Sequence, residues 1–187
     1  MKKNVILLVA ALLTVVMPAR LMAGDRFQVS LAANALLPAD PAFRATYGDV
    51  VFFPELKAAY SLPGNFCLWA GYGRVSASGE TPVLKEPAES SQGYLAAGAG
   101  YRHTLSAGWS LCGELGLVGI SYREEALDQT VSGSTLGLVV NAGARRDLGE
   151  RFFLLAQLGY VYGKKTIEGT AVKMGGFKAG IGAGVRF

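Results

Sequence analysis

Eight stretches of this chain alternate apolar and non-apolar residues with a period of two, and turn residues or polar segments separate them. No other feature constrains the fold as tightly, because a two-residue period places one set of side chains on each face of a β-strand. The stretches are 26–36, 52–61, 66–75, 93–103, 109–122, 135–145, 151–163 and 177–187. In the fifth, Trp109, Leu111, Leu115 and Leu117 share one face, opposite Ser110, Cys112, Glu114, Gly116, Val118 and Ile120. In the eighth, Phe177, Ala179, Ile181, Ala183, Val185 and Phe187 oppose Lys178, Arg186 and three glycines.

The connections alternate long and short. Pro63, Gly64 and Asn65, the link TLSAG, and residues 146–150 are short; the segments around residues 37–51, 76–92, 123–134 and 164–176 are long. An even number of antiparallel strands, with short turns at one end and long loops at the other, is the topology of an up-and-down transmembrane β-barrel. The predicted fold class is therefore all-β, an eight-stranded antiparallel barrel over residues 24–187. Residues 1–23 read as a signal peptide. Lys2 and Lys3 precede a long apolar run, and Ala23 follows Pro18 and Arg20 as a small residue at the cleavage point. Losing those three basic residues lowers the formal net charge from +4 to +1, so the composition offers no case for nucleic acid as a partner. No stretch after Ala23 reaches the ~18 apolar residues of a transmembrane helix.

A soluble barrel also alternates, so the aromatic residues decide which face meets lipid. With the short turns placed down, the lower strand ends carry Phe27, Tyr60, Phe66, Tyr101, Trp109, Phe152 and Phe187. The upper ends carry Phe52, Phe53, Tyr72, Tyr122, Tyr160, Tyr162 and Phe177, and aliphatic residues fill the middles. Two aromatic rings around an aliphatic band match the two interfaces of a bilayer. The opposite face carries the polar residues Glu55, Lys57, Glu114, Asn141, Arg145, Gln157 and Lys178, which predict a polar lumen filled by its own side chains. A continuous pore is not expected. Arg123, Lys164 and Lys165 fall just above the upper aromatic ring, at the height of lipid headgroups.

These residues resemble the small eight-stranded outer-membrane β-barrels of the OmpA/OmpX type, in the outer-membrane-protein β-barrel domain family. The resemblance covers 24–187 and rests on architecture. Its most specific piece is FKAGIGAGVRF, whose terminal Phe187 is similar to the signal such proteins present to the outer-membrane assembly machinery. It implies residence in the bacterial outer membrane among lipid and lipopolysaccharide, whose phosphates Arg123, Lys164 and Lys165 would then meet, and no periplasmic domain is expected after the barrel.

Other chemistry has little to build on. His103, the only histidine, falls at the lower end of the fourth stretch with no carboxylate placed to orient it, and the outer leaflet lies at the other end. Cys67 and Cys112 sit on inward faces of strands separated by a third, beyond the ~7 Å Cα limit of a disulfide, so free thiols are expected. Their spacing matches no metal site, and no cofactor is expected. The reading is a non-enzymatic, monomeric outer-membrane barrel serving envelope structure or surface interaction through four extracellular loops. The alternatives are a lipid-modifying enzyme, a small-solute channel and a soluble periplasmic ligand-binding barrel.

Overall fold

The computed structural model describes residues 26–187 except Ala107, Leu127, Asp128, Glu168 and the side chain of Ile167. The expected signal peptide, residues 1–23, lies outside the described residues. Eight strands follow one another around a closed barrel: β1 (Phe27–Pro38), β2 (Val51–Ser61), β3 (Phe66–Glu80), β4 (Pro87–Thr104), β5 (Trp109–Ala126), β6 (Gln129–Leu148), β7 (Phe152–Ile167) and β8 (Thr170–Arg186). Every neighbouring pair is antiparallel. β1 closes the wall on β8 with Val29 opposite Val185 and Ala33 opposite Ile181. The amide of Phe187 extends this seam by donating to the Phe27 carbonyl at 2.8 Å.

Three of the four upper connections differ from the expected long loops. β3 and β4 pair as far as Glu80 with Pro87, β5 and β6 as far as Ala126 with Gln129, and β7 and β8 as far as Ile167 with Thr170. Alternation of hydropathy reports lipid on one face rather than strand as such. Above the bilayer the outward face of a strand is in water, so the pattern fades while the ladder continues.

The β1–β2 connection alone stays long, and it contains a helix, α1 (Pro41–Tyr47), that the sequence reading did not foresee. Its start has a clear local cause. Asp40 caps it by accepting from the amides of Ala42 and Phe43, and Pro41 takes the first turn, where its missing N–H costs nothing. The other Asp40 oxygen accepts from the Lys173 amide at 3.1 Å, which ties the helix to β8. β2 stops pairing with β3 at Glu55 and Gly73, so the upper part of β3 has no partner on that side. There α1 approaches so closely that a Cβ on Gly79 would overlap the Thr46 carbonyl oxygen.

The outer wall is apolar and bare. Leu31, Leu95, Leu115, Leu136 and Ile181 are each 60–72% exposed, a continuous band that water would not tolerate on a monomer. Tyr60, Phe66, Tyr101, Trp109 and Phe152 face outward at the lower ends, and Phe52, Tyr72, Tyr160, Tyr162 and Phe177 at the upper ends. Phe53 and Tyr122 do not join the upper ring as expected: both point inward and are buried.

The lumen is only partly the polar filling that was expected. Its upper part is an apolar plug built from Leu36, Phe53, Val75, Tyr94, Val118, Ile120, Val139, Val161 and Met174, with Gln92 accepting from the Tyr94 hydroxyl among them, and the charged luminal residues lie below. The reason is geometric. Toward the barrel's upper end each strand turns at least one large apolar residue inward, and in so narrow a barrel these meet one another rather than water.

Candidate functional site

Just below the plug, Asn34, Glu55, Lys57, Glu114, Asn141, Gln157 and Lys178 form one hydrogen-bonded network whose members come from six strands. Glu55 on β2 and Lys178 on β8 lie 2.6 Å apart, and both are almost fully buried. The same Glu55 oxygen, Oε2, accepts from Asn34 Nδ2 and Gln157 Nε2, each at 3.3 Å. Gln157 Nε2 also donates to Asn34 Oδ1 at 2.8 Å, while Gln157 Oε1 accepts from Lys57 Nζ at 3.3 Å. Lys57 then pairs with Glu114 Oε2 at 2.7 Å, and Asn141 Nδ2 donates to that same oxygen at 2.9 Å. The Lys57 ammonium stands 5.3 Å from the Trp69 ring, so its remaining side faces an aromatic π-cloud.

Six of the seven luminal residues singled out from the sequence thus touch one another through a chain of contacts. Arg145, the seventh, lies in a separate group nearer the short turns. There it pairs with Asp147 at 2.7 Å and shares the Gln28 amide oxygen with Arg102. Asn34 and Arg102, which the period also places on the polar inward face, and Gln28 beside them are connecting members of these two groups. Each was recognisable as an inward polar residue, but only the register shows which strand it meets across the lumen. Cys67 and Cys112 are unbonded and line the same lower cavity.

Above the upper aromatic ring, the residues expected to meet lipopolysaccharide divide by face. Arg123 and Lys164 are exposed on the outer wall; Lys165, one position further along β7, belongs to the opposite face and rises beside the barrel mouth. The structure adds two outward cations the sequence reading missed. Lys173 sits directly across the ladder from Lys164. Arg74 on β3 donates from Nε to Ser91 Oγ at 3.1 Å, and Ser91 is itself paired across the sheet with Arg123. Arg74, Ser91 and Arg123 line a shallow hollow of about 290 Å³ that also includes Glu89 and Glu125, and Arg123 is ion-paired to Glu125 at 2.5 Å. Lys164 and Lys173 have no carboxylate within 4.0 Å among the described residues. Over the mouth, burial and the Glu124 carboxylate push the Tyr47 hydroxyl up to about 12, and burial together with Asp40 raises Glu124 above the usual carboxylate range.

No family model and no curated protein matches the sequence. Solved structures do match the fold. Neisserial surface protein A (NspA) is 16% identical over 88% of this chain and 98% of its own, with a TM-score of 0.69. The outer membrane protein OprG from Pseudomonas aeruginosa is 12% identical over 88% and 96%, with a TM-score of 0.66. Ail, the attachment invasion locus protein of Yersinia pestis, is 17% identical over 88% and 100%, with a TM-score of 0.60, in a complex with the heparin analogue sucrose octasulfate. The bare apolar wall, the two aromatic rings, the closed ladder and these matches converge: the chain has the fold of the small eight-stranded β-barrels of the bacterial outer membrane, with a wall built to sit in a bilayer.

Proposed function

We propose that the chain is a non-enzymatic protein of the bacterial outer membrane that supports envelope structure and surface interaction, and that its outer rim holds lipopolysaccharide phosphates. The observation that carries this reading is the height and facing of four cations. Arg74, Arg123, Lys164 and Lys173 all point away from the lumen, just above Tyr72, Tyr162 and Phe177. A cation at that height meets headgroup phosphate, and each such residue contributes about 1 kcal/mol near an anionic surface. The complex of Ail with a polysulfated sugar supports the same class of ligand, an anionic saccharide, on a barrel of this fold. Lys165 beside the mouth adds to the local field without facing the leaflet.

An enzyme acting on lipid would need its base at the upper rim. His103, the sole histidine, is exposed at the lower end of β4, opposite Leu111. Phe187, docked against Phe27 with ring centroids 6.3 Å apart, serves in this reading as the signal for outer-membrane assembly.

The test is binding of the detergent-folded barrel to immobilised lipopolysaccharide. The variant R74Q/R123Q/K164Q/K173Q should lose roughly tenfold or more in affinity, with a shallower salt dependence, whereas K165Q should change little. Equal affinity for the wild type and the quadruple variant would sink the proposal.

A further inference from the structure

The periplasmic part of the lumen carries more positive charge than its carboxylates can offset. Arg102 Nη2 and Arg145 Nη1 both donate to one neutral oxygen, Gln28 Oε1, at 2.8 and 2.5 Å. Arg145 pairs with Asp147, but Asp147 also lies 3.5 Å from Arg186, so one carboxylate serves two guanidinium groups. Arg102 has no carboxylate within 4.0 Å among the described residues. Glu114, which lines the same space, is already held by Lys57 and Asn141.

Two donors in this group are orphaned. Arg102 Nε and Arg145 Nη2 are buried without a hydrogen-bond partner, and Arg145 as a residue is only 4% exposed. An unsatisfied buried donor costs about 1–3 kcal/mol, and more when it is charged. Both arginines line a cavity of about 70 Å³. Its other walls include the Cys67 and Cys112 thiols and the Phe153 ring, over which the Arg145 guanidinium lies at 3.7 Å.

We propose that this cavity binds one small monovalent inorganic anion of the halide class, bridging Arg102 and Arg145. A halide accepts from several donors in any direction and brings the charge the group lacks. A water molecule could accept some of the same hydrogen bonds but leaves the charge in place. The volume exceeds the ~30 Å³ of one water and leaves no room for a lipid headgroup. The soft walls of sulfur and aromatic carbon suit a polarisable ion.

Crystals of the detergent-folded barrel grown in bromide test this directly. An anomalous peak is expected between the two guanidinium groups, and it should vanish in R102Q crystals. In solution, the heat-induced unfolding midpoint of the wild type should rise when bromide replaces gluconate at equal ionic strength, because a ligand of the folded state alone stabilises it. R102Q should lose that rise, while R44Q, which alters an exposed arginine on α1, should keep it. Water alone in the wild-type cavity would overturn the proposal. So would a bromide-dependent rise in R102Q equal to the wild type's.

Discussion

Replacing Glu55 with alanine is expected to destabilise the folded barrel by roughly 3–5 kcal/mol, the usual cost of leaving one member of a buried ion pair without its partner. Lys178 would then hold a charge inside a protein wall, 4% exposed, with its nearest anion gone. K178M should cost a similar amount for the mirror-image reason. The double variant E55M/K178M should recover most of the loss. It removes both charges, and the Gln157 to Asn34 hydrogen bond can persist without them. Equilibrium urea unfolding in lipid vesicles, followed by tryptophan fluorescence, measures all three. A double variant as unstable as E55A would show that the packing of these side chains, and not their charge, sets the stability.

The second large effect is on the opposite face. Leu115 is 60% exposed midway along the outer wall of β5, level with Ala99 and Val140 on the neighbouring strands. Leu115→Arg should cost about 2–4 kcal/mol in a bilayer, the penalty for a guanidinium near the midplane of a barrel's lipid face. Ser78→Arg, on the outward side of β3 but well above Tyr72, should cost about 0–1 kcal/mol, because that position lies at or beyond the interface. The same vesicle unfolding assay compares the two. Equal costs at both depths would mean that the band containing Leu115 does not cross hydrocarbon.

The fold was legible in the sequence because lipid imposes a rule that water does not. Leu31, Leu95, Leu138 and Ile181 must all be apolar if their strands face acyl chains, so alternation through the bilayer survives as a visible signal. Where that rule lapses, the sequence is harder to read. Residues 76–92 form strand and a tight turn, yet their serines and glutamates resemble a loop, because in that region both water and the ladder accept them. The helix α1 was hidden for a different reason: Pro38, Pro41 and Gly48 read as breakers, although Asp40 followed by Pro41 is also the start of a helix. The inward facing of Val118, Ile120 and Val139 was apparent from the period. What the period does not carry is height, and height decides whether an inward valine meets Glu114 or Phe53. The luminal partners show the same boundary. Glu55, Lys57, Glu114 and Lys178 were recognisable as inward charges, but the pairing of Glu55 with Lys178 needs the closure of β1 on β8. The meeting of Arg102 and Arg145 on one oxygen needs the position of Gln28 between them.

The barrel's two tryptophans offer the most direct test of the central claim, that the apolar stripe of each strand meets lipid and the other stripe encloses the lumen. Trp109 faces outward at the lower aromatic ring, and Trp69 faces inward, 4% exposed, with its indole N–H donated to the Ala99 carbonyl. Fluorescence of the single-tryptophan variants W69F and W109F should be recorded in vesicles of phospholipid brominated near the headgroup end of the acyl chains. Bromine should quench Trp109 strongly and leave Trp69 nearly unchanged. Strong quenching of Trp69 with Trp109 spared would contradict the assignment of the two faces.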